Sequence, residues 1–312
     1  MIRVIITCFL CIWYVDGASK LYWIGNTAGI FSQFLQFKVM YHNAKKHNKQ
    51  LTISPFISNH YNNTPINLCE YFSLPSDVSC EERSSDLKCS TDIQNVLSKK
   101  QIDTCYDGSI FYGTVPKGSG IAFMLRTVEI PFPLKFNDTH YQHYKIFRAA
   151  LGIDDFQVRK EAYTVIHWRR GDQLNGRCKR GLDSSVNCGT AVELIRKVRQ
   201  HTNTSLIYIA TNENQESDEM YILRSEGFIT YLDVASTSLF GDLSALSVLA
   251  IEVLLMLDAD KFLAWGLSQV NDVVEYERMK AGKTFCTGQS LLREAKELNW
   301  CMYHNSRHRK HH

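Results

Sequence analysis

Proline is scarce in this chain, at 6 of 312 residues; glycine stands at 17, and no short-period repeat is present. Collagen-like, coiled-coil and low-complexity arrays are thereby excluded. An excess of either charge is also lacking, since the formal net charge is +3 at pH 7. Nucleic-acid binders carry a strongly basic face or domain, so no nucleic-acid partner is expected. No apolar run reaches the ~20 residues that a membrane-spanning helix requires. The longest candidate, Val248–Leu267, is broken by Glu252, Asp258, Asp260 and Lys261 and reads as a core helix and strand. What is present is ordinary globular composition, 45% hydrophobic and 21% charged, in a length that suits one large domain or two.

The first 17 residues read as a secretory signal peptide. Arg3 forms a short basic region, Val4–Val15 is apolar, and Val15 and Gly17 fit the small-residue pattern for cleavage before Ala18. Cysteine usage agrees with export. Cys8 and Cys11 leave with the signal, and the remainder fall as Cys69, Cys80, Cys89 and Cys105 in one half and Cys178, Cys188, Cys286 and Cys301 in the other. An even number in each half predicts disulfides within each half, with connectivity open. No pair has zinc-ribbon spacing. Sequons at Asn62, Asn137 and Asn203 suit a lumenal chain. The secretory-pathway lumen, endoplasmic reticulum or Golgi, is the expected location.

Hydrophobic periodicity predicts alternating strands and helices. Lys20–Gly25 reads as a strand, Phe31–Asn48 as a helix with apolar Phe34, Phe37, Val39, Met40 and Tyr41, and Leu51–Phe56 as the next strand. An insert rich in Ser, Asn and Cys follows, from Ile57 to Gln101, and is expected to lean on its disulfides. Further on, strands are expected at Tyr163–Trp168, Leu206–Ala210, Phe228–Leu232 and Lys261–Trp265. Helices are expected at Thr190–His201, Glu216–Glu226, Ser244–Leu257 and Gln269–Lys280. Strands alternating with helices of this length imply βαβ units and a parallel sheet. The expected architecture is α/β, with two Rossmann-like domains facing a cleft, residues 18–155 and 156–296, and a tail at 297–312. Ligands in such folds bind at the carboxyl ends of the strands.

The sharpest local signal is His167-Trp168-Arg169-Arg170-Gly171-Asp172, where a buried strand gives way to a loop. Two guanidinium groups and a histidine at a strand's carboxyl end suit an anion, because the guanidinium fork matches phosphate oxygens. The competing reading is a salt-bridged strand end, with Arg170 paired to Asp172.

H-x-R-R-x-D after a buried strand resembles the motif of GDP-fucose-dependent fucosyltransferases, the superfamily of protein O-fucosyltransferases and α1,2- and α1,6-fucosyltransferases. Four further segments resemble that family in order. Gly25–Gln33 resembles its glycine loop and Leu51–Phe56 the strand after it; Leu206–Glu213 (LIYIATNE) resembles its second motif, and Glu252–Ser268 its third, with Val273–Arg278 (VVEYER) as the tail. The resemblance covers most of Lys20–Leu292 outside the insert. It implies a GT-B fold with an acceptor-side N-terminal domain and a C-terminal domain that binds GDP-fucose.

By that resemblance Arg169 holds the donor's β-phosphate and stabilises the charge that develops as the glycosidic C–O bond breaks. His167 supports the phosphate pocket. Glu252 stands where the family has an Asp that reads guanine, one carboxylate accepting both N1–H and N2–H. Ser268 and Gln269 stand at a helix start beside the phosphates. Gly29 and Ser32 belong to the glycine loop, which carries no carboxylate here, and Arg177 stands where the α1,6-type enzymes have a Glu. Asp172 is therefore the candidate base. Asp258-Ala259-Asp260 spells D-x-D, yet it falls at a helix end before a strand and reads as a structural feature; no metal and no cofactor beyond the donor are expected.

These features imply an inverting, metal-independent transfer of fucose from GDP-fucose to a Ser or Thr of a secreted protein domain, a small disulfide-rich domain being one candidate acceptor. The endings VVEYER and LIYIATNE lean to the peptide side, whereas HWRRGD is very close to the α1,2 form. Transfer to a glycan, or a non-catalytic nucleotide-sugar-binding or chaperone role, are the alternatives.

Overall fold

The structure, a computed structural model, describes residues 20–24, 29–46, 48, 50–57, 65–81, 104–107, 134–154, 162–171, 174, 178–179, 188–235, 240, 243–265 and 268–287. The signal-like segment, residues 25–28, Asn62, Asp172, Arg177 and the tail lie outside these residues. The chain forms two compact units, Met1–Lys135 and Phe136–His312. No helix among the described residues is long and apolar enough to cross a membrane.

The first unit is built on β1 (Lys20–Ile24), β2 (Gln50–Ser54), β5 (Val78–Cys80) and β6 (Thr104–Asp107), which form a sheet in the order β5-β2-β1-β6 with every pair parallel. The short strands β3 (Phe56–Ile57) and β4 (Pro65–Ile66) form a separate antiparallel ribbon. Helix α1 (Ile30–Lys46) follows β1 and buries Phe31, Phe34, Leu35, Phe37, Met40 and Tyr41. Each such apolar side chain stabilises the unit by roughly 1.5–3 kcal/mol. The Phe34 ring lies 4.4 Å from that of Phe72, just past α2 (Leu68–Tyr71). The insert does use a disulfide: Cys69–Cys80 joins α2 to β5.

The second unit carries β7 (Tyr163–Trp168), β8 (Leu206–Thr211), β9 (Lys261–Trp265) and β10 (Phe285–Thr287), all pairs parallel, in the order β10-β9-β7-β8. Strand β7 is buried along its whole length, which is why YTVIHW reads as a nearly continuous apolar run rather than an alternation. Helices α4 (Ala191–His201), α5 (Asp218–Ser225), α7 (Ala245–Asp258) and α8 (Gln269–Lys280) supply the connections. Thr190 and Glu193 form a reciprocal capping box on α4. Gly227, at φ 79°, takes the left-handed turn that ends α5. The second disulfide, Cys178–Cys188, lies just before α4, and Cys286 is also disulfide-bonded.

The structure differs from the periodicity in the short strands β5, β6 and β10, which it does not announce, and at two longer segments. Residues 228–232 do not form a strand: Ile229 makes one parallel bridge to Tyr208, and α6 (Tyr231–Ala235) begins at once. Asp233 accepts hydrogen bonds from the Thr230 amide and hydroxyl, which draws the chain into a helical turn. Helix α3 (Asp138–Ala150) is the second difference, an element the periodicity does not announce. Asp258 at the end of α7 accepts from Tyr144 at 2.7 Å and pairs with Arg148, so α3 packs within the second unit.

Candidate functional site

Strand order fixes where a site forms in the second unit. The chain runs from β7 to β8 on one side, then crosses to β9 on the other side of β7. The carboxyl ends of β7 and β9 therefore diverge into separate loops at a topological switch point, the usual ligand crevice of open α/β sheets. Arg169 follows β7 directly, and Ser268 follows β9 and caps α8. The Arg169 Nη1 donates to Ser268 Oγ across 3.4 Å. Ser268 Oγ also accepts from the Val270 amide at 3.3 Å, so the guanidinium sits against the start of a 12-residue helix. A fixed cation and the positive end of a helix reinforce one another toward an anion.

His167 and Asn271 tie the same two elements together. The His167 Nδ1 lies 2.5 Å from Asn271 Oδ1, which can only accept, so the imidazole proton resides on Nδ1. Burial holds the His167 pKa down at about 4, against the Asn271 hydrogen bond and with Arg169 adding to the depression. The ring is therefore neutral, and its Nε2 is an acceptor. It suits a hydroxyl or water rather than a phosphate oxygen. Sequence reasoning misses Asn271, because a lone Asn in the first turn of a helix carries no pattern.

Arg170 is spent on structure. Its Nη2 donates to Glu219 Oε1 at 2.9 Å, its Nε lies 3.5 Å from Glu213 Oε2, and its guanidinium covers the Trp168 ring at 4.8 Å. Those partners come from just beyond β8 and from α5; the Arg170–Asp172 pair that sequence proximity suggests falls on Asp172, outside the described residues. Of the two arginines, it is Arg169 that reaches the start of α8.

Glu252 belongs to a different cluster. It is buried on α7 between Ile251 and Val253, and the Tyr208 hydroxyl donates to its Oε1 at 3.0 Å. Burial pushes its carboxyl up to about 8, against the opposing effect of that hydrogen bond. Gln269 is the first residue of α8, beside Ser268. Gly29 and Ser32 lie in the first unit: the Gly29 carbonyl accepts from the Gln33 amide at the start of α1, and Ser32 is on that helix. The structure thus brings Arg169, Ser268 and Gln269 together with His167 alongside and leaves Glu252 in its own buried pair with Tyr208. Asp172 lies outside the described residues.

The D-x-D carboxylates are engaged within the fold. Asp258 takes Tyr144, Tyr163 and Arg148, and Asp260 accepts from the Tyr163 amide at 2.9 Å. Arg278, the last residue of VVEYER, is buried beneath them. It donates to the carbonyls of Met256, Leu257, Ala259, Asp260 and Thr284. It satisfies the orphan carbonyls at the end of α7 and the turn into β9.

No protein-family model matches the chain, and no curated protein matches it. Among solved structures it is similar to POFUT1 in complex with GDP-fucose, at 12% identity over 88% of this chain and 99% of that one, with a TM-score of 0.49. It is similar also to NodZ alpha-1,6-fucosyltransferase co-crystallised with GDP, at 8% identity, 83% and 92% coverage and a TM-score of 0.43. Fucosyltransferase NodZ from Bradyrhizobium matches at 10% identity, 83% and 93% coverage and a TM-score of 0.41.

Proposed function

We propose that the chain is a GDP-fucose-dependent fucosyltransferase whose donor diphosphate lies between Arg169 and the start of α8. The observation that carries this reading is the approach of the Arg169 guanidinium to Ser268 Oγ at the switch point of a parallel sheet. A nucleoside diphosphate is the anion such a crevice suits, and the five family-like segments in order make fucose its expected cargo.

In the reaction the acceptor hydroxyl oxygen attacks the anomeric carbon as the bond from that carbon to the β-phosphate oxygen breaks. The electron pair leaves with GDP, and Arg169 stabilises the charge that gathers there. The hydroxyl proton passes to a base, for which Asp172 is the sequence candidate. Inversion follows from a single displacement. The acceptor in this reading is a Ser or Thr of a secreted protein domain, and the reaction takes place in the secretory-pathway lumen. Glu252 is proposed to read guanine through N1–H and N2–H, with Tyr208 steadying its other lone pairs.

Isothermal titration of the secreted protein with GDP and GDP-fucose in chelator tests the donor site, with Arg169→Ala and Glu252→Ala beside it. Metal-free binding that is lost or much weakened in Arg169→Ala supports the site. Binding indifferent to Arg169, or none, overturns it. Indifference to Glu252 alone removes the guanine assignment. Mass spectrometry of peptide and glycan acceptors incubated with GDP-fucose then separates the two acceptor classes.

A further inference from the structure

The segment Thr211-Asn212-Glu213, at the carboxyl end of β8, touches the end of β7 and the arginine loop after it at three successive points. The Thr211 hydroxyl donates to the Trp168 carbonyl at 2.6 Å. The Asn212 Oδ1 accepts from two consecutive backbone amides, Arg170 at 2.9 Å and Gly171 at 3.0 Å. The Glu213 carboxylate lies 3.5 Å from Arg170 Nε. Thr211 is itself held, since its Oγ1 accepts from the Glu213 amide at 3.1 Å. The fit leaves no slack, because a Cβ on Gly171 would stand 2.5 Å from the Asn212 carbonyl oxygen.

These contacts fall on the residues that flank Arg169, and none of them is needed for the sheet, whose ladder between β7 and β8 already ends at Trp168 and Thr211. A loop after a strand's end has no ladder to fix it. One side-chain oxygen that accepts from two successive amides sets the direction of both peptide planes, and with them the course of the chain just beyond Arg169. Resting on the donor-site reading above, we infer that Asn212 is a positioning residue, which clamps the backbone at residues 170 and 171 so that the Arg169 guanidinium meets the start of α8. Asn212 acts through Arg169 and needs no contact with the donor. Displacements of about 1 Å at an oriented group cost up to about 100-fold in related situations, so a single clamp of this kind has measurable leverage.

The test combines a double-mutant cycle with hydrogen exchange. Asn212→Leu removes the acceptor oxygen at similar volume, and Asn212→Asp keeps it. In the wild-type background Asn212→Leu is expected to weaken GDP binding about tenfold. In the Arg169→Ala background the same change is expected to alter affinity by less than about twofold, since the effect runs through the guanidinium. Exchange of the amides across 169–171 is expected to rise in Asn212→Leu and to stay at the wild-type level in Asn212→Asp. Equal, additive losses of affinity in both backgrounds, or unchanged exchange in Asn212→Leu, overturn the inference. If the wild-type chain binds no GDP, the donor-site reading falls by itself, and the clamp is judged on exchange alone: 169–171 amides as protected in Asn212→Leu as in the wild type overturn it too.

Discussion

The Tyr208 hydroxyl donates to Glu252 Oε1 at 3.0 Å, inside a helix–sheet interface where Glu252 has apolar neighbours on either side. A buried carboxyl with one neutral partner is costly to ionise. Burial lifts its pKa from 4.5 to about 8, so the folded chain holds a proton that the unfolded chain releases. Between these two values the folded state binds more protons, and stability falls as pH rises. Below about 4.5 the full stability is present, and above about 8 this loss is complete. Glu252→Gln removes the linkage. Its denaturation midpoint is expected to gain on the wild type between about pH 5 and pH 8.5. A gap between the two proteins that stays constant across that range contradicts the buried protonated carboxyl. If guanine binds there as proposed, wild-type GDP binding also releases a proton, and the Gln variant's does not.

Arg278 supports the far end of the same helix. Its guanidinium is buried and donates to carbonyls on both sides of the α7–β9 turn, where the negative end of the helix would otherwise lack partners. Burial lowers its pKa only to about 10, so it remains charged at neutral pH. Arg278→Leu leaves several buried carbonyls unsatisfied and is expected to cost about 3 kcal/mol or more. Arg278→Lys keeps the charge but not the fork and is expected to recover less than half of that loss. Chemical denaturation of the three proteins measures it. A Leu variant within about 1 kcal/mol of wild type would contradict this role.

Gly171 is constrained by a neighbour rather than by its dihedral angles. The atom a Cβ would strike is the backbone carbonyl oxygen of Asn212, which cannot turn aside as a side chain could. Gly171→Ala is expected to lower stability by about 1–3 kcal/mol and to weaken GDP binding as the arginine loop shifts. Thermal melts and the same titration report both effects. A variant unchanged in both means that the two loops separate more easily than their packing implies.

The frame of the second unit is legible in the sequence because its signals are local. YTVIHW is a buried apolar run, and KFLAW and the capped helix that begins after Ser268 have sharp ends, so β7, β9 and α8 match their expected bounds. The legible part of the site is likewise local: Arg169 closes a strand and Ser268 opens a helix. The rest depends on tertiary contacts. The segment 228–232 has strand-like composition, but Asp233 supplies a competing local hydrogen bond after a single bridge. Helix α3 is rich in His, Tyr and charged residues, and its apolar stripe is anchored by Tyr144 and Phe147. Arg170 finds its partners in Glu213 and Glu219, far along the chain. Asn212 and Asn271 act through single carboxamide oxygens, which no periodicity announces. VVEYER and LIYIATNE lean to a peptide acceptor by resemblance, yet Arg278, within the first, satisfies carbonyls at the α7–β9 turn, and Asn212, within the second, accepts from the Arg170 and Gly171 amides. These segments therefore speak for the scaffold of the second unit more directly than for an acceptor.

The charge on His167 sets the field around Arg169. In the wild type the ring is neutral down to about pH 4, because burial outweighs the help that Asn271 gives to protonation. The unfolded chain takes up this proton near 6.5, so stability due to His167 is fully present above that value and is lost as pH falls toward 4. Asn271→Asp places a carboxylate on Nδ1, which favours the imidazolium, and is expected to raise the His167 pKa by one unit or more, on the order of 1.4 kcal/mol or above. The consequence for anions is not neutral. At a pH where the variant's ring is charged, the imidazolium and the new carboxylate together add no net charge beside Arg169, while at higher pH the lone carboxylate opposes an anion. GDP binding by Asn271→Asp is therefore expected to weaken as pH rises through the new His167 pKa, a dependence that the neutral wild-type pair lacks. An NMR titration of the His167 ring protons locates the pKa, and GDP titrations on either side of it test the coupling. An unshifted ring, or a variant whose GDP affinity ignores its charge, would show that the charge on His167 does not reach the Arg169 site.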